Sequence, residues 1–520
     1  MAIDLVKENI ECEQLLGENF TDSVIKAEYV IPDTHPDVYQ VLMLEAKPFI
    51  TNKEVMQDKV FLEGQIEYNV LYLAREEENS GIYNVTYTGK FSNNVDLLGA
   101  GHKMPCEAEC FVEHIEPVVV NERKIAIEGV VKLKAGVYRN YDFEMIKDIS
   151  GVRDIQLLKD GASVDKVVGN VDGDLIVKSH IQIPMDKPQV GTVLKCDINL
   201  HKKDVKLLEG KIQVGAFAHV ELLYRGKDTR EVCYVEDDVF VNKELDAENI
   251  DSTMDNYTDF RVEAMEFDVK EDDLGEKRIV DVEALVKSNT RVMYKAHMDT
   301  IEDAYSPSMT MNMTKKDYEL NVMHGQSTEE AIVKGNIELS QDMPRPVAII
   351  MTNGRVCVTD KKIVEDKVVV EGLLNVDVLY RTADEDKYVY TVYEEIPFSC
   401  GVDMAGAKID MQSTIRAALE SIDATIEANT IGIKAIIEVY ARVNYTTHKD
   451  FLVDVVPMEG DVPKKKASIT IYVVQNGDNL WKIAKRYNTT IDNLMKVNEL
   501  DNPEAVSDGQ TLIIPGRAVI

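Results

Sequence analysis

Residues 24–72 read VIKAEYVIPDTHPDVYQVLMLEAKPFITNKEVMQDKVFLEGQIEYNVLY, and the chain returns to this pattern twice. Val24-Ile25-Lys26 is matched by Ile176-Val177-Lys178 and by Ile332-Val333-Lys334. A proline follows ten residues after each lysine (Pro36, Pro188, Pro344), and a Leu-Tyr pair closes each stretch (Leu71-Tyr72, Leu223-Tyr224, Leu379-Tyr380). Lysines (26, 178, 334), prolines (36, 188, 344) and tyrosines (72, 224, 380) all shift by 152 and then by 156 residues. Three unrelated landmarks do not share both offsets by accident. A repeat this long is a tandem domain, not a solenoid unit.

Inside the stretch, Val60, Leu62, Ile66, Tyr68, Val70 and Tyr72 alternate with Lys59, Glu63, Gln65, Glu67 and Asn69. Val368, Val370, Leu374, Val376, Val378 and Tyr380 repeat the pattern. Period two predicts a half-buried strand. Gly64 and Gly372 sit mid-strand, with Ala216 as their match, which predicts a bulge or a close neighbouring backbone. The segments Ile31-Pro32 to Pro36 and Ile183-Pro184 to Pro188 read as loops or edge-strand entries. The third copy carries Ser340 and Pro346 where the second has Pro184 and Val190. Polar turns opening at Arg75, Arg225 and Arg381 read as charged hairpin tips, solvated rather than metal-binding. A second alternating strand closes each copy, as in Ile125, Ile127, Val131 and Leu133, and its preceding partner carries Glu113, Glu263 or Glu420.

The expected fold is mainly β: three tandem antiparallel β modules of sandwich or barrel type, then a small strand–helix–helix–strand domain. The boundaries read as a lead at 1–19 able to form a short helix, modules at 20–150, 170–304 and 328–455, a linker at 456–468 and a last domain at 469–516. The intervening segments near 150–170 and 305–327 read as linkers.

The chain has 520 residues, 58 Lys and Arg against 92 Asp and Glu, and a formal net charge of −34. That balance excludes a broad basic face for nucleic acid or an anionic membrane. Seven scattered cysteines read as reduced cytosolic thiols rather than a disulfide framework. No signal peptide and no membrane span are expected. No phosphate loop, nucleophile elbow or His-Glu-x-x-His occurs, and Cys106 and Cys110 lack flanking histidines. No enzyme, metal or cofactor is therefore expected.

Residues 469–515 change character. Leu480, Ile483, Ala484 and Tyr487 fall at i, i+3, i+4 and i+7, a helical stripe that Asp478 or Asn479 can cap. Thr490 caps a second helix bearing Ile491, Leu494 and Met495, and Thr511 to Ile514 close as a strand. The stretch resembles a LysM domain through Tyr472, Val474, Gly477-Asp478, Leu480, Ile483-Ala484, Tyr487, Leu494, Asn498, Pro503, Gly509-Gln510 and Ile514-Pro515. Asn479 departs from the family's usual Thr or Ser. The resemblance implies a shallow groove for N-acetylglucosamine-containing glycan or a partner protein. Gly477, Asp478, Asn479 and Leu480 would form one side, and Asn498, Glu499 and Leu500 the other. Trp481 is a candidate aromatic contact.

With the β modules included, nearly the whole chain resembles the clostridial spore-coat morphogenetic proteins with SPOCS domains, the SipL type, similar in role to SpoVID of bacilli. That resemblance implies a non-enzymatic scaffold in the mother-cell cytoplasm at the forespore surface. It implies one protein partner, the coat basement-layer ATPase (stage IV sporulation protein A), with peptidoglycan glycan as a second ligand. The alternative is a peptidoglycan-binding wall protein or the targeting subunit of a wall hydrolase.

Overall fold

A computed structural model describes residues 3–75, 80–384, 387–458, 469–502 and 506–516. Pro503, residues 76–79 and 385–386 of two hairpin tips, and 459–468 of the expected linker lie outside the described residues. The first module contains β1 (Asp4–Val30), β2 (Val38–Met56), β3 (Lys59–Arg75), β4 (Ser80–Asp96), β5 (Cys106–Asn121) and β6 (Lys124–Ser150). The second contains β7 (Gln156–Gln182), β8 (Val190–Leu208), β9 (Lys211–Gly226), β10 (Val232–Asp246), β11 (Asp255–Glu271) and β12 (Lys277–Tyr305). The third contains β13 (Met311–Glu338), β14 (Pro346–Val364), β15 (Lys367–Thr382), β16 (Val389–Asp403), β17 (Gln412–Glu427) and β18 (Thr430–Pro457).

Each module is a sandwich of two three-stranded antiparallel sheets, β1-β6-β5 against β2-β3-β4 in the first. The alternating residues of β3, from Val60 to Tyr72, pack there on Ile125, Ile127, Val131 and Leu133 of β6. Period two puts every second side chain in one core, and its removal from water is the main driving force.

The mid-strand glycines meet the predicted close approach. Gly64 faces Phe91 and Gly372 faces Phe398 across the sheet. A Cβ on Gly64 would stand 2.2 Å from Phe91 Cζ and 2.5 Å from the Phe49 carbonyl oxygen. Ala216 faces the smaller Val241, which leaves room for its methyl. At the same level β2, β8 and β14 each slip register, at Ile50/Asn52, His201/Asp204 and Val358/Asp360. In the loops, Arg123 donates to the carbonyls of Ile31, Pro32 and His35, and Arg278 to those of Pro184 and Lys187. Asn429, whose carbonyl accepts from Leu339 N as that of Arg123 accepts from Ile31 N, takes the arginine's place where the third copy lost its Ile-Pro.

The expected lead and linkers are corrected. Residues 4–19 are not helical but the first part of β1, residues 156–170 open β7, and residues 311–327 open β13. The register shifts between Leu15 and Gly17, between Val167 and Gly169, and between Met323 and Gly325. The skipped residues 16, 168 and 324 keep the offsets of 152 and 156, so the repeat runs through these segments. Beyond those bulges, β1/β6, β7/β12 and β13/β18 continue as two-stranded ribbons, ending at Asp4↔Ser150, Gln156↔Tyr305 and Met311↔Pro457. A lone ribbon has no core. Here three share one, built from Ile10, Phe143, Met145, Val164, Tyr318, Leu320 and Phe451.

The sandwiches meet at an apolar axis of equivalent residues, including Leu71, Leu223 and Leu379. Around it arginines join the second module to the first and the third to the second. Arg291 pairs with Glu13 of the first module, and Arg442 lies 4.0 Å from Asp165 of the second. Glu13, Asp165 and Asn321 are equivalent by the same offsets. The third position is neutral: Asn321 bonds Asn444 at 2.8 Å.

Candidate functional site

The last four elements are β19 (Ile469–Val473), α1 (Leu480–Arg486), α2 (Ile491–Val497) and β20 (Thr511–Pro515). The two strands pair antiparallel, with Ile471 opposite Ile513. Val474, Leu480, Ile483, Ala484, Leu494, Leu512 and Ile514 form the core. Of the two cap candidates Asn479 takes the role, its Oδ1 accepting from Lys482 N at 2.8 Å. Thr490 caps α2 through Asn493 N at 3.2 Å.

The predicted groove residues divide by what they already do. Asp478 accepts from the Tyr472 hydroxyl and from Gln475 N at 3.1 Å, and these bonds, the tyrosine's first, hold its carboxyl below the usual range. Gly477 has φ +82°, where a side chain would be strained, and its carbonyl accepts from Lys482 Nζ at 2.9 Å. The Leu480 side chain is core rather than groove surface. Asn498 pairs with the edge of β20: its amide donates to Ile513 O at 2.7 Å and accepts from Ile513 N at 2.6 Å. Leu500 is half-buried against the core, and Glu499 stands exposed at φ +52°. Asn479 and Asn498 thus hold the framework that presents the two segments.

Trp481 is only 7% exposed. With Lys485, one turn on, it occupies a flank of α1 beside the core stripe, and this flank rests on the end of the second module's ribbon. Trp481 Nε1 donates to Asp303 at 2.9 Å, and Lys485 Nζ reaches both Asp303 oxygens at 2.7 Å. The rings of Trp481 and Tyr305 meet edge to face at 5.0 Å, and the Tyr305 hydroxyl donates to Thr489 O at 2.9 Å. Gln156 accepts from Ile491 N at 3.3 Å. Burial opposes the charge of Asp303, but the bonds from Lys485 and Trp481 and the lysine's charge outweigh it, so the carboxyl lies below its ordinary pKa. Sequence reading missed this seat because Gln156 and Tyr305 fall in segments that read as linkers and Asp303 at the very end of a module; the pair Trp481 and Lys485 at i, i+4 was its one local signal. The outer sheet face leaves Ile469, Ile471, Val473 and Ile513 exposed.

Among the described residues no three His, Cys, Asp or Glu are arranged to hold a metal ion, and no helix is long and apolar enough to cross a membrane. All seven cysteines are free.

Fold and site together define a class: a triplicated β-sandwich protein with a βααβ module seated on the end of its second ribbon. The family model of the SipL SPOCS domain matches residues 37–120, 189–270 and 347–427, and that of the LysM domain matches 472–515. The chain is a SipL-type protein, three SPOCS domains followed by one LysM domain. It is similar to the spore coat assembly protein ExsA of Bacillus cereus, 44% identical over 50 residues, 9% of this chain and 8% of that protein. It is also similar to two proteins of Bacillus subtilis (strain 168). The cortical fragment-lytic enzyme is 47% identical over 45 residues, 9% of this chain and 10% of the relative. SpoIVD-associated factor A is 38% identical over 50 residues, 9% and 13%. The chain therefore spans at most 13% of the length of these curated relatives. No solved structure matches it.

Proposed function

We propose that this protein is a non-enzymatic spore-coat morphogenetic scaffold, working from the mother-cell cytoplasm at the forespore surface. It binds the coat basement-layer ATPase, stage IV sporulation protein A, and so localises the coat and lets it encase the spore. The observation that carries this reading is the joining of three SipL SPOCS domains to a LysM domain in one chain. Relatives named for spore coat assembly and for association with SpoIVD support the setting. The LysM domain serves as a docking module for glycan or protein. Segments 477–480 and 498–500 suit a glycan, and the exposed aliphatic face of β19 and β20 supports a protein ligand. The relative named as a lytic enzyme favours a second reading, a wall-glycan-binding protein that targets a hydrolase.

Capture experiments with the intact protein in extracts of sporulating cells separate the two. The scaffold reading expects the ATPase to be retained, and retained less by a chain lacking 469–516. Saturable sedimentation with peptidoglycan, with no protein retained, overturns it. Within the domain, Glu499→Ala alters ligand binding while circular dichroism stays native, whereas Leu480→Asp unfolds the domain. Unfolding by both variants would remove Glu499 from the proposed surface.

A further inference from the structure

The apolar axis of the three sandwiches is broken at one place. Positions 43, 195 and 351 are equivalent by the offsets 152 and 156, and they hold Met43, Lys195 and Met351. Both methionines belong to the axial cluster. Lys195 is as hidden as they are, 7% exposed, yet carries a charge. Its Nζ lies 3.3 Å from Glu45 of the first module, 3.3 Å from Glu221 and 3.8 Å from Asp197 of its own. Burial disfavours the ammonium, but the three carboxylates, Glu45 foremost, reverse the balance and hold its pKa above the ordinary value. Lys47 of the first module completes the set by pairing with Asp197.

The other modules do not repeat this arrangement. Positions 69, 221 and 377 hold Asn69, Glu221 and Asp377, while 45, 197 and 353 hold Glu45, Asp197 and Asn353. Asp377 has a cation of its own module nearby, Arg355 at 3.6 Å. Asp377 also feels the charges of Lys195 and Glu45, but the ion pairs of Lys195 itself run only within module two and to Glu45 of module one.

Leucine against leucine is non-directional, so the axial apolar residues alone accept any copy of the module. A buried charge discriminates, because a wrong neighbour leaves it unpaired. We infer that Lys195, with Glu45, Asp197 and Glu221, selects the pairing of module one with module two and rejects a second copy of the chain at the axis. Were module two to meet another module two there, Asp197 would stand in the place of Glu45, but a second Lys195 would replace Met43 and Asn199 would replace Lys47. Two buried ammonium groups would then share the interface, and Asp197 would lose its Lys47 partner. Were module one to meet another module one, Glu45 would lose the Lys195 ammonium.

The test uses the whole chain, unfolded in urea and refolded at a low and a high protein concentration, with mass read by light scattering. Wild type returns as one species whose mass does not depend on concentration. The variant Glu45→Asn, Lys195→Met, Asp197→Asn, Glu221→Asn takes the residues found at equivalent positions in neighbouring modules. It folds, with native circular dichroism, but loses that independence and gives multimers that grow with concentration. A neutralised variant that returns as the same single species overturns the inference. So does one that cannot fold, since the cluster would then supply stability rather than choice, and so does a wild type that refolds to a concentration-dependent mixture.

Discussion

The Tyr224 hydroxyl donates to the Pro188 carbonyl at 2.9 Å, and the same bond joins Tyr72 to Pro36 at 3.0 Å and Tyr380 to Pro344 at 2.9 Å. The two landmarks that mark the repeat in the sequence thus touch in the fold, 36 residues apart each time. Each tyrosine is a buried member of its sandwich core, and the bond gives its polar end a partner while pinning the loop that enters the second sheet. Tyr224→Phe keeps the ring and leaves the Pro188 carbonyl short of this donor. It should cost about 1–2 kcal/mol, read as a lower unfolding midpoint in urea with unchanged far-ultraviolet circular dichroism. An unchanged midpoint would mean that water replaces the hydroxyl at no loss.

Trp481 is the only tryptophan, so its fluorescence reports the LysM seat directly. Asp303→Asn should shift emission to the red at neutral pH as the indole gains water. Wild type should show the same shift on acidification. The seated carboxyl titrates below its ordinary pKa, so its contribution is complete above the normal carboxylate range. It fades as pH falls through the lower folded value. Emission that stays blue in the variant would show that the Tyr305 contact alone holds the domain.

Arg291 joins modules one and two through Glu13, with Glu107 at 3.3 Å and the Tyr138 ring beneath it at 4.5 Å. Arg291→Met keeps much of the stem but strands the nearly buried Glu13. A loss of about 3 kcal/mol is expected, measured by urea unfolding. The double variant with Glu13→Gln should recover much of it. No recovery would place the loss in the arginine's packing on Tyr138.

Thiol chemistry gives an independent check on packing. Burial pushes Cys12 up to about 11, and Cys110 and Cys196 up to about 12, so all three stay protonated at pH 8. Ellman's reagent should therefore react slowly with the native chain and rapidly in urea. Fast reaction of all seven thiols in the native chain would contradict this core.

Sequence made legible whatever is local. The alternation from Val60 to Tyr72 declares a half-buried strand because one neighbouring sheet suffices to cover it. The stripe of Leu480, Ile483, Ala484 and Tyr487 declares its helix for the same reason. The ribbons stayed hidden because Ile10 or Val164 gains a dry environment only from two other ribbons far along the chain, and their polar outer residues look like linker. Asp303 stayed hidden because its partners Trp481 and Lys485 lie 178 and 182 residues away. For the groove, the sequence placed its candidate residues on two loops without separating builders from surface. The backbone bonds of Asn498 and the cap at Asn479 appear only once β20 and α1 are in place.

The three-ribbon core also sets a clock on biosynthesis. Phe143 stacks on Phe451 at 5.2 Å, but a ribosome adds the second ring 308 residues after the first (143 to 451). At typical elongation rates that is a delay of about 15 to 60 s. During it the first ribbon, with Ile10, Phe143 and Met145, has no complete partner set, and its apolar face stands open to solvent or to a neighbouring nascent chain. Each sandwich can close once its own strands are made. The ribbons cannot, so a chain stalled before Phe451 should be the form most prone to capture by chaperones.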